Sequence, residues 1–330
     1  MGNTVATLPF RRNRNPLAAE DAVAGWVFLS PALVILGLFI FWPIAQVFWV
    51  SFHDWSLIEP GRPFRGLGNY RDLFSDPDFE IALRNTIWFS LGVVPTQTFL
   101  GVLLAVLANR AIPGKSFFRT AFYFPSISSS VVISIIFIWL YQQNGLINFV
   151  LREIGFGTPR PPWLSNPVGV IDMGLGAIGV DNVTPWLAGP SVALLSIMMM
   201  NIWTTMGSMM VIFLAGLQGI PGDVYEAASL DGATARQQFF QITIPLLRPV
   251  VFFVLTLGFI GTFQVFDQIF VMTPGGSPSK TTLTLGYLVY EQGFQGFAMG
   301  AASAIAVVLF VIILSIYLVQ RRLIQASGVE

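Results

Sequence analysis

Long apolar stretches alternate along this chain with short polar segments that hold nearly all of its charge. About 20 apolar residues cross roughly 30 Å of hydrocarbon. Six stretches reach that length, over about 26–52, 85–109, 120–141, 191–217, 249–272 and 297–320. Arg84 and Arg110 bound the second, Arg119 and Arg152 flank the third, and Asp267 interrupts the fifth. The pattern predicts an all-α integral membrane protein with six transmembrane helices across 24–322. Tails at 1–23 and 323–330 flank that domain. The glycine-rich piece Met173–Val180 is too brief to cross and is placed in a loop.

Lys and Arg orient the spans, because basic residues collect on the cytoplasmic side. Arg11, Arg12 and Arg14 lie in the first tail, and Arg110, Lys115 and Arg119 in the turn after the second span. Arg236 and Arg248 follow the fourth span, and Arg321 and Arg322 end the sixth. With both termini cytoplasmic, ten basic residues fall inside against seven in the outer loops. The first stretch is too long for a signal peptide and lacks a small-residue cleavage site. Two outer loops, 53–84 and 142–190, are long. The first gathers Asp72, Asp76, Asp78 and Glu80 and reads as a folded, wet surface; the second carries the Pro-rich run Thr158–Trp163. The halves do not echo each other, which weighs against a single-chain inverted-repeat transporter.

Composition narrows the class. The chain is 54% hydrophobic and 10% charged, against roughly 25% charged for soluble domains, which excludes an ordinary cytosolic enzyme. Zero net charge gives no reason to expect a nucleic-acid partner. With no Cys and a single histidine, His53, disulfides, thiol catalysis and a His-based metal site are not expected.

Polar groups at membrane depth should face a cavity or another helix. The third span carries Ser126, Ser128, Ser129 and Ser130 after Pro125. The fourth carries Asn201, Thr204, Thr205 and Ser208 around Trp203, and the fifth Thr262, Gln264 and Asp267 among Phe259, Phe263 and Phe266. Hydroxyls, amides and flat aromatic faces suit a neutral polyhydroxy solute, and no Lys or Arg lies inside a span. Ser126, Ser130, Thr204, Thr205, Ser208, Thr262 and Gln264 are therefore the candidate solute path. Asp267, near the outer end of its span, reads as a hydrated or paired acid before a proton-coupling group. Ala298, Gly300, Ala301, Ala302 and Ala304 read as a packing face. Pro31, Pro43, Pro95 and Pro125 are expected to kink their helices. The sequon at Asn182–Thr184 carries no weight.

Residues 220–248 form a polar segment between the fourth and fifth spans. Asp223 is expected to cap a short helix through Val224, Ala227, Ala228 and Leu230, and Gly232 to end it. A second short helix is expected from Thr234 towards Gln241, stopped by Pro245 and Pro249. Two short helices at an angle make a knob that would fill a cleft on a soluble partner. The order Glu226-Ala227-Ala228, three residues, Gly232, nine residues, then Ile242-x-Ile244-Pro245 resembles the signature loop of importer-type ABC permeases. Ile244 stands where that family usually has Leu. Asp231-Gly232-Ala233, Thr273-Pro274-Gly275-Gly276 and Gly66-Leu67-x-Asn69-Tyr70 resemble the maltose-type and glycerol-phosphate-type sugar-permease branch.

The resemblance implies a permease subunit in the bacterial inner membrane. A second homologous permease chain, two copies of an ABC ATPase and an extracytoplasmic solute-binding protein would complete the importer. Glu226, Ala227, Ala228, Asp231 and Gly232 would couple it to the ATPase. The resemblance carries solute contacts to Ser126, Ser130, Thr204, Thr205 and Ser208, and on the fifth helix to Gly258, Gly261, Thr262 and Val265. Gly and Val cannot bond a sugar, so Gln264 or the second permease would supply contacts there. No cofactor is expected on this chain, with ATP and Mg on the partner ATPase. Residues 109–116 end in Gly114-Lys115-Ser116 like a phosphate loop. Asn109 replaces the first Gly, and Pro113 removes an amide donor. The function expected is import of a neutral sugar or oligosaccharide by alternating access. A glycerol-phosphate or polyol importer and an ion-gradient-driven secondary transporter are the alternatives. A membrane-embedded enzyme ranks last, because no span pairs a nucleophile with a base.

Overall fold

The computed structural model describes residues 16–110, 113–155, 161–180 and 183–326. The tail arginines, Thr158–Arg160 and Asn182 of the sequon lie outside them, as do residues 327–330. Among the described residues the fold is helical, with three isolated β-bridges and no strand. It divides into two units, one up to Trp49 and one from Val50 onward.

In the first unit, α1 (Pro16–Leu36) passes through a π turn, Gly37–Phe41, into α2 (Trp42–Val50). Residues Ala22–Val50 are long and apolar enough to cross a bilayer. The Trp42 N–H reaches back to the Gly37 carbonyl, five residues away. Pro43 follows at once, and the wider turn moves the preceding carbonyls away from its ring.

The second unit begins with α3 (Gly68–Ser75) and α4 (Pro77–Asn109). Asp76 caps α4 by accepting the Asp78 N–H at 2.9 Å, and Pro77 occupies the first turn, where a missing donor costs nothing. Next come α5 (Lys115–Ile127), α6 (Ser130–Leu140), α7 (Leu146–Glu153) and α8 (Val170–Gly176). The long α9 (Val192–Gln218) starts on the Ser191 hydroxyl, which accepts the Leu194 N–H at 3.0 Å. On the far side of α9 lie α10 (Gly222–Leu230), α11 (Ala235–Gln238), α12 (Ile244–Leu246) and α13 (Arg248–Phe263). The chain closes with α14 (Asp267–Met272), α15 (Leu285–Tyr290) and α16 (Met299–Ala326).

The central packing is α4 along α9. Small residues let the backbones approach. A Cβ on Gly101 would lie 2.7 Å from the Met209 Cβ, and one on Gly92 2.0 Å from the Met198 Cε. That is how membrane helices gain contact without a hydrophobic drive. Phe89, Val93, Leu194, Ile197, Met200, Leu288 and Ile305 form one buried core. Ala105, Met210, Phe213, Leu247 and Val254 form a second, towards the α10 end.

Five helices of the described residues are long and apolar enough to cross, and a sixth crossing exists only if α5 and α6 count as one. The third span is thus not the single helix expected over 120–141. α5 and α6 meet at 99°, because Pro125 lies inside α5 and Ser128 and Ser129 adopt extended backbone. The fifth span breaks too, between α13 and α14 at Gln264–Phe266. Three further expectations need correction. The glycine-rich piece at 173–180 is not all loop, since α8 takes up its first residues. Asp223 does not cap α10: Pro221 holds that position without a side-chain bond, and Asp223 sits in the first turn, where an acid still favours the dipole. Pro245 does not stop the second short helix. A π turn, Phe239–Thr243, carries it onward, and the Ile244 N–H bonds the Phe239 carbonyl five residues back.

Side chains staple the connecting segments onto backbone. Asn69 Nδ2 donates to the Ser51 and His53 carbonyls at 2.9 Å each. Asn85 Nδ2 donates to the carbonyls of Lys280 (3.1 Å) and Leu283 (2.9 Å), and Thr86 Oγ1 accepts the Leu285 N–H. Lys280 pairs with Asp78. That hydrogen bond, ahead of weaker attractions, holds the Lys280 ammonium above its ordinary range. Burial pushes the Glu291 carboxyl up, against the pull of Lys280. Its Oε2 is buried with no bonding partner.

Candidate functional site

Two regions carry the candidate chemistry. The first is the segment between α9 and α13. α10 exposes Glu226, Ala227 and Asp231, and Leu230 is 90% exposed. It ends at Gly232, whose φ is +78°. The Ala233 N–H bonds the Ala228 carbonyl at 2.9 Å, and the Gly232 N–H bonds the Ser229 carbonyl at 3.1 Å. Those paired bonds close a helix end around a left-handed residue, which glycine adopts freely. Thr234 and Gln237 then form a reciprocal capping box that starts α11. Behind α10 lies a cleft of about 480 Å³, walled by Leu103, Val106, Arg110 and Leu217 on one side and Tyr225, Gln238 and Thr243 on the other.

The second region is the polar seam between helices. Ser126 Oγ donates to the Thr204 carbonyl at 2.6 Å and accepts the Ser208 N–H at 3.1 Å. It therefore bridges α5 and α9 where they come closest: a Cβ on Gly207 would lie 2.0 Å from the Phe122 carbonyl oxygen. Thr204 Oγ1 returns to the Met200 carbonyl. Thr205 faces α4, its single proton shared between Gln97 Oε1 (2.5 Å) and the Asn201 carbonyl (2.8 Å). Thr262 is buried, bonded to the Gly258 carbonyl. Ser130 Oγ, at the start of α6, is buried without a partner. Gln264 stands apart, in a cavity of about 450 Å³ beside Thr256, Phe310 and Tyr317 of α13 and α16. The seam thus brings Ser126, Thr204 and Ser208 together, turns Thr205 towards α4, and leaves Gln264 elsewhere.

Residues 97–327 match the family of binding-protein-dependent transport system inner membrane components. The chain belongs to this family. A probable ABC transporter permease protein, YurN of Bacillus subtilis, is 34% identical over 94% of this chain and 99% of its own length. The multiple sugar-binding transport system permease protein MsmF of Streptococcus mutans is 31% identical, over 91% of this chain and 94% of its own. The trehalose/maltose transport system permease protein MalF of Thermococcus litoralis is 32% identical, over 93% and 95%. A crystal structure of a bacterial ABC transporter that imports the acidic polysaccharide alginate shares the fold, with a TM-score of 0.73 at 21% identity over 93% of this chain and 98% of that one.

The permease is a membrane transport component and not an enzyme, and its relatives set it in the sugar-permease branch. Within it, several structurally placed residues escaped the sequence reading. Gln97 is a lone amide deep in the second span, and the rule applied to the third, fourth and fifth spans singles it out equally well. Tyr225 and Gln238 were hidden by an amphipathic context in which nothing marks their partners. The Gly66–Tyr70 motif proves to be scaffolding: Gly66 has φ +58°, and Asn69 and Tyr70 both bond Ser51.

Proposed function

We propose that this permease is one of two membrane subunits of an ATP-driven importer for a neutral sugar or oligosaccharide. The observation that carries the reading is α10, an exposed helix with Glu226 on its surface and a glycine-closed end, set among helices otherwise suited to lipid. Such a helix fits a groove on a soluble motor. Sugar is the cargo named for the relatives MsmF and MalF. A further crystal structure of the alginate transporter in complex with a pentasaccharide-bound periplasmic protein, similar in fold to this chain, supports a solute-binding partner outside the membrane. The proposed assembly adds a second homologous permease and two copies of an ABC ATPase, in the bacterial inner membrane. The bent α5–α6 pair counts as the third of six spans, and both termini are cytoplasmic. ATP and Mg belong to the ATPase, and this chain holds no cofactor.

In this reading Glu226, Ala227, Ala228, Asp231 and Gly232 meet the ATPase. Ser126, Ser130, Thr204, Thr205, Ser208, Thr262 and Gln264 lie on or behind the solute path. The Ser130 hydroxyl is buried without a partner, so it bonds a sugar only when the helices around it part. Ser126 works by holding α5 and α9 at the seam. A neutral cargo is favoured because Asn85–Asn109, Val192–Gln218 and Pro249–Met272 contain no Lys or Arg to balance an anion. Alternating access follows if the helices around the seam rock while α10 stays docked.

The test is uptake into vesicles that hold this permease with the permease and ATPase encoded beside it. Maltose, trehalose and glycerol 3-phosphate serve as probes. Vanadate should stop uptake, and dissipating the proton gradient at constant ATP should not. The reverse pattern would replace the reading with an ion-driven carrier and make Asp267 the leading coupling group. Glycerol 3-phosphate uptake without sugar uptake would move the cargo to the phosphate class.

A further inference from the structure

We propose that Tyr225, Gln238 and Thr243 are positioning residues that fasten α10 to the foot of α13, so that the two move as one body; this rests on α10 being the ATPase contact. Four side chains close a ring of hydrogen bonds. Tyr225 Oη and Thr243 Oγ1 lie 3.0 Å apart, and Thr243 Oγ1 also reaches the Gln238 carbonyl at 3.3 Å. Gln238 Nε2 donates to Ser229 Oγ at 2.9 Å, and Ser229 Oγ donates to the Tyr225 carbonyl at 2.8 Å. The ring starts on α10, crosses to α11 and the π turn, and returns to α10.

The connections at the two ends of α10 differ. Towards α9 the link is Gly219–Pro221, three residues outside regular helix. The cleft of about 480 Å³ separates Tyr225 and Gln238 from the ends of α4 and α9. Towards α13 four non-helical residues, Asp231–Thr234, are spanned by the ring, and beyond them the backbone stays helical from Ala235 to Phe263 with a single turn residue, Leu247. A push on α10 therefore finds open space on one side, and on the other a link closed by hydrogen bonds that leads into a stiff rod. The fulcrum is Gly216, where a Cβ would lie 2.8 Å from Val250 Cγ2 and 3.1 Å from Leu247 Cδ2. Thr243 is buried, so its hydroxyl needs its partners. The ring thus selects the helix that receives the stroke, and that helix is α13.

The native chain has no Cys, so spin labels at Asp223→Cys and Phe253→Cys report one distance, from α10 to α13. It is measured in the full complex with cysteine-free partners, nucleotide-free and vanadate-trapped, and in the permease alone in nanodiscs. The expected result is one narrow distance, unchanged by trapping. Tyr225→Phe with Gln238→Ala should broaden it about twofold while the ATPase still copurifies. Each hydrogen bond lost should raise the unfastened population by roughly 2- to 10-fold. Thr243→Val should act in the same direction, and Thr243→Ser should restore the narrow distance. A distance that shifts on trapping in the unaltered chain would overturn the proposal, as would a narrow distance in the double variant. Failure of the ATPase to copurify with the unaltered chain would instead overturn the proposed function, and the nanodisc distances would still decide the fastening.

Discussion

Thr205 Oγ1 on α9 lies 2.5 Å from Gln97 Oε1 on α4, tying together the two helices that pack most extensively. Gln97 is 2% exposed, so water cannot replace the lost partner. Thr205→Val should lower stability by about 1 kcal/mol, and Thr205→Ser by little. Thermal unfolding in detergent checks this. Gln97→Leu combined with Thr205→Val should cost less than the two single changes summed.

Gly207→Ala should harm the permease far more than Gly261→Ala. A Cβ at 207 would lie 2.0 Å from the Phe122 carbonyl oxygen, whereas at 261 nothing lies within 4 Å. Forcing α5 from α9 should cost about 1–3 kcal/mol and break both bonds of Ser126. The yield of monodisperse protein and its melting temperature separate the two variants.

Gly232 has φ +78° and nothing within 4 Å of a Cβ, so the cost of a side chain there is conformational and not steric. Gly232→Val should open the end of α10, and Gly232→Asn should be tolerated, because Asn adopts left-handed backbone at roughly 1 kcal/mol less than a branched residue. Hydrogen exchange at the Gly232 and Ala233 amides checks it. Fast exchange in the Val variant and native protection in the Asn variant are expected.

The turn after α15 should show a pH signature at Glu291. Its carboxyl is raised by burial, so folding favours the protonated form. The stability this contributes is complete below the ordinary glutamate value of 4.5 and lost as pH rises through the raised value. Glu291→Gln should therefore raise the melting temperature increasingly as pH climbs from about 4 to 8. A constant difference across that range would contradict it. Lys280 has the opposite charge and is also raised, so its contribution persists below about 10.5 and is lost only in stronger alkali.

The apolar pattern made the helical membrane class and most helix positions legible, because a span needs a length that little else needs. Lys and Arg could be counted, but a break inside an apolar run could not. Ser128-Ser129 after Pro125 hinted at the bend, yet its 99° comes from extended backbone that no hydropathy window detects. At Pro43 and Pro245 the expectation of a kink or a stop met π turns, whose longer hydrogen bonds accommodate the ring. Between α9 and α13 the helix end at Gly232 was readable because glycine adopts left-handed backbone more freely than any other residue. The ring through Tyr225 was not, since its four members are spread over 19 positions and only a folded helix pair joins them. Ser126 was found by its polarity, but its role as a bridge depends on a carbonyl exposed by a neighbouring helix.

The two helix breaks have a shared consequence. α6, which starts just after the Ser128–Ser129 break, packs on α14, which starts just after the Gln264–Phe266 break. Each interruption frees peptide groups from the ladder in the one solvent that offers them nothing. Hydrocarbon cannot surround that neighbourhood, so it must stay in contact with protein dipoles or with water. The place where the backbone lets go of itself must therefore be closed by neighbouring polar groups, as Thr284 Oγ1 closes the Val265 carbonyl at 2.9 Å.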